Sequence, residues 1–233
     1  MAQFELENAV LWSDPELLVI DKPAGLATLP EGWEPEAPHV KGLLEPRFGP
    51  LWIVHRLDKG TSGVLLLGRS AAAHRALNGQ FESRQVEKVY HALVAGSPAW
   101  QEQTVSLPLR AGVGRRKRTA VDHRQGKPAE TALRVLERFG EASRVEARPR
   151  TGRTHQIRAH LWALGHPILG DRLYTLPEEA GAPPLSPGRL ALHACALTLL
   201  HPLSGERLAF EAPYPPEFSA ALERLRQGKY HAG

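Results

Sequence analysis

Four consecutive aliphatic residues, Val64-Leu65-Leu66-Leu67, follow directly on a polar string that holds two glycines, His55-Arg56-Leu57-Asp58-Lys59-Gly60-Thr61-Ser62-Gly63. A strand that is apolar at every position offers no face to water, so it belongs inside a sheet with cover on both sides. The rest of the chain must supply that cover. Leu17 to Ile20 is a second apolar run, closed by Asp21-Lys22-Pro23-Ala24-Gly25 as a turn closes a short buried strand. Ser70 is placed to cap a helix in which Ala73, Leu77 and Phe81 recur at four-residue spacing. Pro30 to Pro50, rich in Pro, Gly and Glu, reads as an irregular surface connection.

Further along, Glu87 to Ala95, Thr131 to Phe139 and Ser143 to Arg148 have strand character, the last two joined through Gly140. Thr154 is expected to cap a second helix, with Ile157, Leu161 and Leu164 on its buried stripe and Gly165 at its end. Leu190 to Leu200 and Arg207 to Glu211 read as a hairpin turned through Pro202 to Gly205, and Phe218, Leu222 and Leu225 mark a closing amphipathic helix. Strands outnumber helices and do not alternate with them, which predicts an α+β fold: a mainly antiparallel mixed sheet with flanking helices. The 233 residues suit one large domain over the whole chain, and 42% hydrophobic residues suffice for a substantial core.

Cys195 is the only cysteine, so an intrachain disulfide is excluded. Met1 to Val10 carries Glu5 and Glu7 with no basic start and no long apolar run behind it, so the reading expects no signal peptide, no membrane span and a cytoplasmic protein. The net charge is +4, with the excess gathered locally: Arg110, Arg115, Arg116, Lys117, Arg118, Arg124 and Lys127 are offset only by Asp122. Such a patch is what a phosphate backbone needs. On charge alone a solvated loop is an equal reading.

Chemistry concentrates in two strings. In the extended segment 55–58, alternation puts Arg56 and Asp58 on one side and His55 and Leu57 on the other. A cation and a carboxylate then face one cleft, although a surface ion pair in a turn fits the same pattern. The second string, Thr151-Gly152-Arg153-Thr154-His155-Gln156-Ile157-Arg158, opens the second helix. Arg158 lies about 100° around that helix from Ile157, at the border of the buried stripe. From there it could hold a carboxylate brought from elsewhere, keeping it ionised and aimed. His155 and His160 are five apart, about 140° around the axis, and present no common metal face. No HExxH or paired cysteines accompany them, so no metal is expected. Gly112-Val113-Gly114-Arg115-Arg116-Lys117 lacks the spacing of a nucleotide phosphate loop.

Together the strings resemble the RluA family of pseudouridine synthases, whose first motif is His-Arg-Leu-Asp-x-x-Thr-Ser-Gly and whose later motif is Gly-Arg-Thr-His-Gln-Ile/Leu-Arg; both match without a gap. Lys22-Pro23-Ala24-Gly25-Leu26, Lys88-Val89-Tyr90, Gly165-His166-Pro167-Ile168-Leu169-Gly170-Asp171 and Leu192-His193-Ala194 also match in order, so the likeness runs from about Leu17 to Pro215. The resemblance implies a pseudouridine synthase fold with a central catalytic cleft, and an RNA isomerase that flips a uridine out of its stack and needs no cofactor.

It also implies roles. Asp58 matches the essential carboxylate, Arg158 its basic partner, and Tyr90 the aromatic that packs on the target base. Arg56 matches the residue that fills the vacated space, Leu192 an apolar pocket wall, and His55 goes with Arg56 to substrate binding. The motifs begin almost at once, as in the short members without an S4 domain, whose substrates are ribosomal and transfer RNA loops. Recognition then falls to basic loops of the catalytic domain, with Arg115, Arg116 and Lys117 as substrate-binding candidates and a monomer expected. Two other classes compete. A non-catalytic RNA-binding protein on the same fold has no need of Asp58 with Arg158. A glycosidase or nuclease needs a second acid/base carboxylate or metal ligands, and the motifs assemble neither.

Overall fold

The computed structural model describes residues 6–30, 32, 34, 36–114, 117–175 and 189–228. After a single 3-10 turn at Leu6–Ala9, the first elements in chain order are β1 (Val10–Ser13), β2 (Leu17–Lys22), α1 (Val40–Phe48), β3 (Trp52–Ile53), β4 (Ser62–Gly68), α2 (Ala71–Glu82), β5 (Glu87–Ala95) and β6 (Glu102–Val105). There follow β7 (Leu109–Val113), β8 (Arg118–Val121), β9 (Thr131–Arg138), β10 (Ala142–Pro149), α3 (Gln156–Ala163), β11 (Leu192–Leu200), β12 (Arg207–Glu211) and α4 (Pro216–Arg226). The class is α+β, as the pattern of segments predicts. Among the described residues no helix is long and apolar enough to cross a membrane. They gather into two compact units, one from Met1–Lys88 and Ala194–Pro213, the other from Val89–His193 and Tyr214–Gly233.

The first unit is organised by β4, which is buried at all seven positions, as a strand without a polar face must be. β2 pairs with it antiparallel from Leu17↔Gly68 to Lys22↔Gly63, β1 flanks β2, and β3 pairs with β4 at Gly68 and Leu67. β11 and β12 form the expected hairpin, in register from Ala196↔Glu211 to Leu200↔Arg207. Leu17, Val19, Val64, Leu66, Leu197, Leu199 and Phe210 share one core cluster with Ala73 and Leu77 of α2. Each such Leu, fully buried, contributes about 1.5–3 kcal/mol. α2 starts as predicted, with the Ser70 hydroxyl accepting the Ala73 N–H at 3.0 Å. The Pro30 to Pro50 stretch departs from expectation, because it contains α1. His39 caps this helix, its Nδ1 accepting the Gly42 N–H at 2.9 Å. Val40 and Leu44 are buried one turn apart, and that burial holds the helix together despite Pro46 inside it.

In the second unit β10 is central. It pairs antiparallel with β5 from Ala142↔Ala95 to Ala147↔Tyr90 and with β9 from Ser143↔Arg138 to Pro149↔Thr131, while β6 lies outside β9. Val145, Ala147, Val135 and Leu133 share a core with Ile157 and Leu161 of α3 and with Phe218, Leu222 and Leu225 of α4. A second cluster joins Leu109 of β7 to Ala129, Ala159 and Tyr174. β7 and β8 form a hairpin inside the basic segment, where the sequence shows no period-2 alternation.

The start of α3 corrects the sequence reading: Thr154 does not cap it. His155, in the left-handed region at φ 52°, is the first flanking residue, and it makes no side-chain cap. Gln156 replaces the cap, because its Oε1 accepts from the Arg153 N–H at 3.0 Å and the Thr151 hydroxyl at 2.7 Å. Its Nε2 donates to the Glu130 carbonyl and to Thr131 Oγ1, both at 2.9 Å, so the buried amide is fully satisfied. Gly165, at φ 80°, follows the helix end as predicted.

Candidate active site

Asp58 sits in the loop between β3 and β4, and that loop is held by the first unit's own backbone. The Thr28 hydroxyl accepts the Leu57 N–H at 3.3 Å and donates to the Leu57 carbonyl at 3.1 Å. The Gly25 N–H donates to the Lys59 carbonyl at 2.7 Å, and the Thr61 N–H to that of Asp58 at 3.0 Å, closing a four-residue turn. Lys22 is fully buried; its ammonium donates to the carbonyls of Pro23 and Leu26, each at 2.8 Å, which fixes the neighbouring turn. Leu57 is buried, Arg56 exposed and Asp58 half-buried, the alternation expected of an extended segment. The loop thus anchors the Leu57 side chain inward and leaves Asp58 beside it half-buried.

His55 opens this loop. Its ring stacks on Phe81 at 5.1 Å between centroids, and its Nε2 accepts the Leu66 N–H of β4 at 2.9 Å. Burial, helped by the Lys88 cation, pushes its pKa down to about 3, so the imidazole is neutral with its proton on Nδ1. Burial pushes the Lys88 ammonium down as well. At Gly63, φ is 110° and a Cβ would lie 2.1 Å from the Ala194 carbonyl oxygen, so only glycine lets β4 approach β11 here.

The second unit carries Tyr90, Arg158 and Leu192. Tyr90 is half-buried on β5 opposite Ala147, and Leu192 is buried at the start of β11; both pack in the large apolar cluster of that unit. Arg158 is held by Asp171, the last residue of the Gly165–Asp171 string, for which the sequence alone suggests no role. The pair is bidentate, with Nε to Oδ2 at 2.7 Å and Nη2 to Oδ1 at 2.9 Å. Asp171 Oδ1 also accepts the N–H groups of Leu173 and Tyr174 at 2.9 and 3.2 Å. The Arg158 guanidinium lies 5.0 Å from the centroid of the Tyr174 ring. Tyr174 is fully buried, and burial raises its phenol pKa. Its oxygen accepts the Thr119 N–H of β8 at 2.8 Å.

His155 Nδ1 lies 3.2 Å from the Tyr174 oxygen. His160 bridges Thr131 Oγ1 at 2.9 Å and the Leu107 carbonyl at 3.0 Å, which puts its proton on Nε2; burial lowers its pKa. Among the described residues no group of three or more His, Cys, Asp or Glu could hold a metal ion. Of the basic candidates, Lys117 is exposed in a turn closed by its N–H on the Gly114 carbonyl at 3.0 Å, and Arg115 and Arg116 lie outside the described residues. Arg110 is partly neutralised by Asp122 at 2.9 Å.

Comparison with known proteins bears on this arrangement. Residues 16–163 match a family model described as RNA pseudouridylate synthase. The chain is 41% identical over 205 residues, 88% of its own length and 92% of the relative's, to the dual-specificity RNA pseudouridine synthase RluA of Escherichia coli. It is 38% identical over 226 residues to ribosomal large subunit pseudouridine synthase C of Vibrio cholerae, covering 96% of this chain and 71% of that one. Among solved structures, human RNA pseudouridylate synthase domain containing 4 superposes with a TM-score of 0.77 at 29% identity, covering 95% of this chain and 94% of the other.

Proposed function

Because the chain belongs to the RNA pseudouridylate synthase family, among its RluA-like members, we propose that it isomerises specific uridines in ribosomal or transfer RNA, with Asp58 as the catalytic carboxylate. The observation that carries this reading is the Asp58 loop. Leu57 is clamped at its N–H and its carbonyl by one hydroxyl, Gly25 and Thr61 fasten the consecutive carbonyls of Lys59 and Asp58, and Asp58 is half-buried. A backbone fixed at the reacting residue is what positioning for covalent chemistry demands.

The reaction breaks the bond from ribose C1′ to N1 of uracil, turns the base, and joins C1′ to C5, whose proton then leaves while N1 takes one up. Atoms balance without oxidant or energy source. A carboxylate that adds to the nucleotide, at C1′ or at the uracil ring, divides one difficult step into two. Reaching the base requires its extrusion from the stack, at about a few kcal/mol. Arg56, exposed beside the anchored Leu57, is assigned to fill the space the base leaves, since a planar guanidinium stacks as well as it bonds phosphate. Tyr90 and Leu192 are assigned to the base pocket because both pack in one apolar cluster. Arg158 is assigned as the basic partner of the reaction, preset by its fork on Asp171. His55 serves best as the post of the loop, because its one acceptor nitrogen is already used on Leu66.

The test is incubation with ribosomal and transfer RNA carrying tritium at uridine C5. Release of tritium together with a new nucleoside isomeric with uridine is the expected result. Strand cleavage, or binding with no new nucleoside, would refute it.

A further inference from the structure

The Tyr174 and Trp162 rings meet edge to face, their centroids 6.2 Å apart, and each carries an arginine: Arg158 lies over Tyr174 at 5.0 Å and Arg118 over Trp162 at 4.6 Å. The two cations have different fates. Arg158 is neutralised by the buried Asp171. Arg118, half-buried on β8, faces no carboxylate among the described residues, although Asp122 and Gln125 already occupy Arg110 in the same hairpin. A guanidinium held over an indole face can still offer N–H groups to an anion, and the contact removes much of the rotamer freedom that the anion would otherwise have to freeze.

Position supplies the ligand class. Trp162 is four residues after Arg158 on α3, so it lies about 6 Å along the axis and only about 40° around it. Arg118 therefore stands beside the next helical turn from the guanidinium assigned to the reaction. β8 is fixed there by the Thr119 N–H on the Tyr174 oxygen at 2.8 Å, and Trp162 by its Nε1–H on the Thr175 carbonyl at 3.2 Å. We propose that Arg118, held on Trp162, binds a backbone phosphate of the RNA strand next to the target uridine. The inference rests on the isomerase reading above and adds a residue and a ligand atom to it.

RNA affinity measured across a salt series for the whole protein tests it. Arg118→Ala should weaken binding about tenfold and lower the slope of log affinity against log salt by about 0.7, the value for one phosphate contact on a single strand. Arg118→Lys should restore the slope but only part of the affinity, because an ammonium has no plane to lie on the indole. In substrates with a single uncharged methylphosphonate beside the target uridine, one position should cost the native protein affinity and cost Arg118→Ala nothing further. An unchanged salt slope in Arg118→Ala, or additive losses at every position, overturns the proposal. Pseudouridine formed by the unmodified protein in the same samples keeps that failure distinct: product with an unaltered slope sinks only the phosphate site, and no product sinks the isomerase reading and this inference with it.

Discussion

His55→Gln should flatten the acid limb of this protein's stability, and the size of the effect follows from the site. The imidazole is buried against Phe81, beside the Lys88 cation, with Nε2 occupied as an acceptor, and its pKa falls from 6.5 to about 3. A depressed histidine favours the neutral form in the folded state. Its contribution is therefore complete above the unfolded pKa of 6.5 and is lost as pH falls from there towards about 3. At pH 5 the unfolded chain holds nearly one proton that the folded chain refuses. Across about 1.5 pH units at about 1.36 kcal/mol each, the loss is about 2 kcal/mol. Gln places an amide oxygen where Nε2 stands, so it can accept the Leu66 N–H without titrating. His91 and His160, whose pKa values are also lowered by burial, remain in both proteins and cancel in the difference. Thermal unfolding from pH 7 to pH 5 should then cost the native protein about 4–8 °C more than His55→Gln. Parallel pH profiles for the two proteins would refute the assignment of a buried neutral imidazole.

Two substitutions probe the scaffold around the assigned groups. Asp171→Asn keeps an oxygen for the Leu173 and Tyr174 N–H groups but removes the charge that pairs with Arg158, whose side chain is only 11% exposed. It should destabilise by about 3 kcal/mol and lower kcat more than RNA affinity, read by unfolding and by steady-state kinetics. Gly63→Ala puts a methyl 2.1 Å from a main-chain oxygen at φ 110°, where no side-chain rotation gives relief, and should cost about 3 kcal/mol or more by denaturant unfolding.

The elements legible in the sequence were those whose signal is local. β4 announced itself by an unbroken apolar run, α2 by Ser70 and a four-residue stripe, and α4 by Phe218, Leu222 and Leu225; each lies where the pattern put it. The strand Glu87–Ala95 matches to the residue. What was missed depends on pairing and packing partners more than on a local pattern. β6, β7 and β8 are four or five residues long and are strands because of what they pair with, β9 in one case and each other in the rest. α1 was hidden by Pro46 and Gly42, since the burial of Val40 and Leu44 that stabilises it is tertiary. The α3 start misled because a Thr before a helix is usually its cap, whereas here the Gln156 amide closes that turn. Both strings to which the chemistry is assigned stand out in the sequence. The bidentate hold of Asp171 on Arg158 was not, because nothing in their spacing of thirteen residues says that the chain folds back between them.

The most direct measurement is single-turnover conversion of C5-tritiated RNA by Asp58→Asn beside the native protein. The account predicts the same fold by circular dichroism, RNA affinity within about threefold, and a rate lower by at least about 10⁴-fold, since Asn keeps the shape of the side chain but cannot act as a nucleophile. Conversion by Asp58→Asn within tenfold of the native rate would contradict it.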